Sequence, residues 1–155
     1  MLALTKRTEY ALIALCHLAR EPQAVVSARE IGQRYAVPLP LLMKVLKELQ
    51  RAGLVASTRG ARGGYRLAAP PERITLRTVV EALEGPARLV QCVLPERPSE
   101  GRCDLLGSCP IRQPVSKLHE KFDRFLAEVT IAELAFDEGF GSPLLAEATL
   151  RVRTP

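Results

Sequence analysis

The sequence predicts a mainly α-helical chain with one small β-hairpin and a long helix toward its C-terminal end. Three patterns carry this expectation. Amphipathic helical stripes fill most of residues 5–51, two short β-prone runs flank a glycine-rich loop at 59–64, and apolar residues recur with a seven-residue period from Val115 to Phe136. The 155 residues are enough for one core and an appendage, and 47% apolar with 25% charged residues excludes wholesale disorder. No apolar run reaches the roughly 18–20 residues of a membrane span. Lys6, Arg7 and Glu9 precede the greasy stretch at 10–19 and no small-residue cleavage site follows it, so a cytoplasmic protein is expected.

The first helix should run from Thr5 to Arg20, with Tyr10, Ile13, Ala14, Leu18 and Ala19 inward and Pro22 as its stop. Ser27-Ala-Arg-Glu30 reads as a capping box opening a short helix that ends near Tyr35. Val37-Pro-Leu-Pro40 then turns the chain, with a proline in the first helical position of the next helix. That helix places Leu42, Val45, Leu46 and Leu49 inward and Lys44, Lys47 and Arg51 outward, and Gly53 ends it. Residues 54–58 and 65–67 form the hairpin strands, joined by Arg59-Gly-Ala-Arg-Gly-Gly64.

Helix, short helix, tight turn, basic helix and hairpin, in that order, describe a winged helix-turn-helix. In that fold the second helix of the pair enters the DNA major groove and the hairpin reaches the backbone or minor groove. The charge distribution agrees. Residues 1–80 hold 13 Lys and Arg against five Glu, net +8, whereas residues 81–155 hold nine against 12 acidic residues, net −3. A polyanion is the expected partner of the basic half, with an acidic membrane surface second. The expected phosphate contacts are Ser27, Arg29, Lys44, Lys47 and Arg51, and the expected wing contacts are Arg59 and Arg62. Gly60, Gly63 and Gly64 let the wing backbone bend and approach closely.

Thr75 caps a further helix ending at Glu84, with Leu76, Val79, Val80 and Leu83 apolar and Gly85 as its stop. A proline-rich loop follows, and then a helix from about Val115 whose apolar residues are Val115, Leu118, Phe122, Phe125, Val129, Ala132 and Phe136. Steps of 3, 4, 3, 4, 3 and 4 make a heptad seam, expected to join two copies of the chain about a two-fold axis. The expected organisation is a DNA-binding domain at 1–85, a cysteine-bearing loop at 86–114, a dimerisation helix at 115–136 and a loose tail at 137–155.

Cys92, Cys103 and Cys109 fall within 18 residues of that loop, with spacers of ten and five, while Cys16 lies in the first apolar stretch. Without a secretion signal a disulfide framework is not expected. Three clustered thiolates can wrap an iron–sulfur cluster, join a histidine around zinc, or act as a thiol switch. No close cysteine pair of the kind usual in structural zinc sites is present. No nucleotide-binding glycine loop, catalytic His–Asp pair or second cluster motif is visible, so an enzyme or electron carrier is not expected.

Together these segments resemble the Rrf-two (Rrf2) family of bacterial transcriptional regulators. The likeness is carried by Leu4-Thr-Lys-Arg-Thr-Glu-Tyr-Ala11, Leu46-Lys-Glu-Leu-Gln-Arg-Ala-Gly-Leu-Val55, Arg59-Gly-Ala-Arg-Gly-Gly-Tyr-Arg-Leu67 and Ile74-Thr-Leu-Arg-Thr-Val-Val-Glu-Ala-Leu-Glu-Gly85, followed by the cysteines. The resemblance implies a homodimer crossed through the long helix, a double-stranded DNA operator as partner, and an iron–sulfur cluster, [4Fe–4S] or [2Fe–2S], held by Cys92, Cys103 and Cys109. It also implies that cluster loss or redox change alters DNA affinity.

The departures shape the expectation further. IscR-type members carry a histidine three residues after the last cysteine, where this chain has Arg112, permanently protonated and a poor ligand. NsrR-type members use a carboxylate from the partner subunit's first helix, and Glu9 occupies the matching position. RsrR-type members add a histidine one turn later, where Ile13 stands, which leaves His17 and His119 as substitutes. In the recognition helix Met43, preceded by Leu41 and Leu42, replaces the acidic base-reading residue of IscR, so the operator should differ from an IscR site. The expected alternative keeps the DNA-binding dimer with a zinc, thiol-redox or small-molecule sensor in place of the cluster.

Overall fold

A computed structural model describes residues 4–60, 62–89 and 108–136. The elements run α1 (Lys6–Arg20), α2 (Ala28–Tyr35), α3 (Leu39–Arg51), β1 (Val55–Thr58), β2 (Gly64–Leu67), a 3₁₀ turn (Pro71–Arg73), α4 (Leu76–Glu84), α5 (Arg112–Glu128) and α6 (Ile131–Phe136). The expected helix-turn-helix and hairpin wing are therefore present. Among the described residues no helix is long and apolar enough to cross a membrane.

The central element is α1. Thr8, Ala11, Ala14, Leu15, His17, Leu18 and Ala19 are all buried, covering more than half its circumference. Its stripe is wider than the sequence suggested and rotated toward the alanines, with Tyr10 and Ile13 only half-buried. Small residues here let α3, α4 and α6 approach the same helix, and their side chains join one apolar cluster with α1. Each large aliphatic side chain sealed in it contributes about 2 kcal/mol.

The turn between α2 and α3 is shaped by two residues without room or freedom to spare. A Cβ on Gly32 would stand 3.1 Å from the Val37 carbonyl oxygen. Ala36 ends α2 in the left-handed conformation, φ 53° and ψ 34°, a region that penalises a side chain. The Ser27 hydroxyl accepts the Glu30 amide at 3.1 Å, and among the described hydrogen bonds only this half of the expected capping box is seen. Leu39 rather than a proline takes the first position of α3; Pro38 caps it and Pro40 follows one place in, where no amide partner is needed.

The wing is a two-stranded antiparallel hairpin with Val55 opposite Leu67 and Thr58 opposite Gly64. Its second strand also pairs with Val26, through Val26 N–H to the Tyr65 carbonyl at 2.9 Å and Tyr65 N–H to the Val26 carbonyl at 2.8 Å. That ties the wing to the segment that opens α2. Gly64 makes the approach possible, because a Cβ there would lie 2.4 Å from the Val26 oxygen.

One expectation is corrected. The heptad pattern reads as a single helix over 115–136, but the chain leaves helical conformation at Val129, ψ 122°, and restarts at Ile131. Thr130 caps the restart: its hydroxyl accepts the Glu133 amide at 3.2 Å, and the Glu133 carboxylate accepts the Thr130 amide at 2.6 Å. The break also pairs with the start of α4, through Leu76 N–H to the Val129 carbonyl and Ile131 N–H to the Ile74 carbonyl, both 2.8 Å. With the break, Ile131 and Ala135 turn inward against α1, and the Arg20 guanidinium donates to the Ala135 carbonyl at 2.8 and 2.6 Å. At its other end α5 begins at Arg112, three residues before the expected Val115. The expected tail at 137–155 and most of the expected loop, 90–107, lie outside the described residues.

Two substitutions of opposite sign test this account in chemical denaturation. Ala36→Gly relieves the left-handed strain and should stabilise the protein by about 0.5–1 kcal/mol. Gly64→Ala drives a methyl into the Val26 carbonyl and should cost about 1–3 kcal/mol; no loss would remove the wing–Val26 contact from the account.

Candidate nucleic-acid interface and sensor site

The four core-facing residues of α3, Leu42, Val45, Leu46 and Leu49, are buried as expected, which fixes the roll of the helix. Lys44, Lys47 and Arg51 consequently stand exposed along its outer face. The single acid of α3, Glu48, is paired with Arg7 across the α1–α3 contact, so the three cations on the outer face lack an acidic neighbour on their own helix. Glu48 also raises the pKa of Arg7, chiefly by accepting its hydrogen bond. Gln50 donates to the Ser57 hydroxyl at 2.8 Å, tying the end of α3 to β1. Arg7, Glu48, Gln50 and Ser57 are positioning residues that pattern reading missed, because a link between elements leaves no periodic signature.

Arg59 and Arg62 are exposed at the wing tip, as expected, with Arg66 exposed on β2 behind them. The tip turns tightly, Gly63 N–H donating to the Gly60 carbonyl at 2.9 Å, and Gly60 adopts φ +118°. A Cβ on Gly63 would stand 2.4 Å from the Thr58 oxygen. The glycines expected to bend the loop are thus sterically required there. Arg29 is exposed on the first turn of α2, and Ser27 is half-buried at its cap. Capping occupies a lone pair of the Ser27 hydroxyl and leaves its proton free to donate.

The residues expected to form the sensor are described only in part. Cys92 and Cys103 lie outside the described residues. Cys109 is a half-buried free thiol just before α5, and its carbonyl accepts the Arg112 amide at 3.4 Å. Glu9, on α1, accepts from Lys6 Nζ at 2.6 Å, which raises the Lys6 pKa. Among the described residues no three potential ligands gather in one place. Three thiols with one carboxylate nevertheless have the donor chemistry of an iron–sulfur site.

Neither substitute histidine is exposed, and among the described residues His17 Nε2 and His119 Nδ1 have no hydrogen-bond partner. His17 is buried with Nδ1 3.1 Å from the Tyr35 hydroxyl, its ring edge-on to the tyrosine, and His119 is buried on α5. Cys16 is half-buried too, and burial pushes its thiol pKa up despite the opposing effect of Arg20, so it behaves as a small apolar residue.

A carboxylate clasp went unseen in the sequence as well. Glu84, at the end of α4, accepts from the Thr5 hydroxyl and from Thr8 Oγ1 at 3.1 Å. Its negative charge therefore sits over the N-terminus of α1, where the helix dipole favours it. Arg77 extends the network by pairing with Glu81 at 2.9 Å and with Asp123 of α5 at 3.2 Å.

Over residues 4–137 the chain matches the model of the Rrf2 family, described as an iron-dependent transcriptional regulator. A Synechocystis sp. protein bearing the name of an HTH-type transcriptional regulator is 36% identical over 136 residues, covering 86% of this chain and 88% of that one. CymR, the global cysteine regulator of B. subtilis, superposes with a TM-score of 0.70 at 28% identity, covering 87% of this chain and 97% of that one. IscR of T. potens superposes with a TM-score of 0.65 at 24% identity, covering 94% and 96%, which is a likeness of fold. The helix-turn-helix, the glycine-built wing and these matches agree, and the chain belongs to the Rrf2 family of transcriptional regulators rather than to any family of enzymes.

Proposed function

We propose that the chain is a homodimeric transcriptional regulator that binds a double-stranded DNA operator and senses redox, nitric oxide or iron–sulfur status through an iron–sulfur cluster. The observation that carries the DNA half is the outer face of α3, where Lys44, Lys47 and Arg51 stand exposed while the neighbouring acid is consumed by Arg7. With α3 in the major groove, these three cations together with Ser27 and Arg29 contact phosphates, and Arg59 and Arg62 of the wing reach the backbone or minor groove.

A second copy of the chain is the partner that suits α5. Ile111, Leu118 and Phe125, seven residues apart, are 58%, 56% and 36% exposed. Val115 and Phe122 stand half-buried between them, so the heptad seam lies on the open side of the helix even though α6 turns away. Two copies joined along that seam would present two α3 helices to two half-sites.

Cys92, Cys103 and Cys109 would hold the cluster, with Glu9 of the partner subunit as fourth ligand, and the group would supply redox and ligand-exchange chemistry when bound. In the sequence the three cysteines lie between the end of α4 and the start of α5. Glu84 clasps α4 to α1, and Arg7 clasps α1 to α3, so a change at the cysteines has a short mechanical route to the DNA-reading face. The second reading keeps the same dimer with a zinc, thiol-redox or small-molecule sensor, and the half-buried free thiol of Cys109 is its point of support.

Three measurements test these parts separately. Lys47→Ala and Arg59→Ala should each weaken duplex binding and lower the slope of log affinity against log salt by about one; an unchanged slope removes that residue from the interface. Leu118→Glu places a charge in the seam and should turn the dimer into monomers in sedimentation, with α-helix content retained. Protein isolated without oxygen should contain iron and sulfide and absorb broadly near about 400–420 nm. Zinc, or no metal at all, would favour the second reading.

A further inference from the structure

The front of α3 is chemically unusual for a helix that reads DNA. Residues 39–43 are Leu, Pro, Leu, Leu and Met, none of which carries a side chain that donates a hydrogen bond. Leu42 is consumed by the core, but Leu41 and Met43 are 44% and 51% exposed. By helical geometry Leu41 stands one turn before Lys44, and Met43 one turn before Lys47. Two large apolar side chains are thus held in water beside the cationic row, at the end of the helix whose residues meet base edges when such a helix docks. Solvent exposure of this kind is unfavourable until something apolar covers it. In the major groove the apolar feature on base edges is the C5-methyl group of thymine.

We propose that Leu41 and Met43 are specificity-determining residues that read thymine methyl groups, with Lys44 the first side-chain hydrogen-bond donor on α3. The operator is then recognised in the major groove chiefly by where its thymines stand. This rests on the DNA-binding reading above and goes beyond it by naming the chemical group that is read. The cations carry affinity without sequence information, whereas the two apolar side chains carry preference.

The test uses the full-length protein. Binding sites are selected from a random duplex library, and each enriched thymine is then replaced by uracil, which keeps base pairing and removes only the methyl. Each replacement at a contacted thymine should weaken binding about three- to five-fold, the effect of withdrawing one methyl from an apolar contact. Leu41→Ala and Met43→Ala, both at exposed positions that the fold does not need, should each abolish the thymine–uracil difference at one position per half-site. The inference is overturned if no thymine is enriched, if uracil is bound as well as thymine throughout, or if both variants keep the full methyl response. A protein that binds no duplex at low salt overturns the DNA-binding reading with it. Salt-dependent binding without a methyl response overturns this inference alone.

Discussion

Burial of α1 is the constraint on which the rest of the structure depends. Ala11, Ala14 and Ala19 keep its surface low, and Leu15 and Leu18 fill the space between its neighbours. A helix enclosed on more than half its circumference cannot roll without repacking every element around it, because protein interiors are close-packed. Three polar clasps hold its ends. Glu84 of α4 meets Thr5 and Thr8, Glu48 of α3 meets Arg7, and the Ala135 carbonyl of α6 meets Arg20. The exposed Arg7–Glu48 pair adds little stability. Its consequence is geometric and electrostatic, since it registers α3 on α1 and pairs the one acid of α3.

Around the same hub stand the elements proposed for two tasks of different chemistry. One group is the cationic row, the apolar tip of α3 and the wing, fastened to each other by Gln50–Ser57 and by the Val26–Tyr65 pair. The other group is α4 and α5, with Arg77 and Asp123 bridging the two helices. Glu9 and Arg7 lie two residues apart on α1, so the candidate fourth ligand and the clasp on α3 share half a turn of one rigid helix. That arrangement suits a regulator whose two sites communicate by a small displacement of α1.

Much of this was legible in the sequence, and the limits have physical reasons. The roll of α3, the presence of the hairpin and the caps at Ser27 and Thr75 were readable because a local pattern alone determines them. The break at Val129–Thr130 was present as Thr130-Ile-Ala-Glu133, a capping box, but the seven-residue rhythm ran through it and masked it. Local capping and the pull of Ile131 and Ala135 toward α1 override a periodicity that a straight helix could have used. The clasps at Glu48 and Glu84 join residues 41 and 76 or more positions apart, and such pairings leave no trace in a single chain. Sequence does not reveal burial, and His17 and His119, the substitute ligands, are both buried. The three clustered thiols were legible as a set, and two of them, Cys92 and Cys103, lie outside the described residues.

In the proposed regulator the cysteine segment and the DNA-reading face are energetically coupled through α1. The most direct test is operator affinity for a single oxygen-free preparation, measured with its metal in place and again after chelation has removed it. Coupling predicts that the two affinities differ by roughly 5- to 150-fold, the usual range for linked sites. Equal affinities, with metal loss verified on the same sample, would contradict the account.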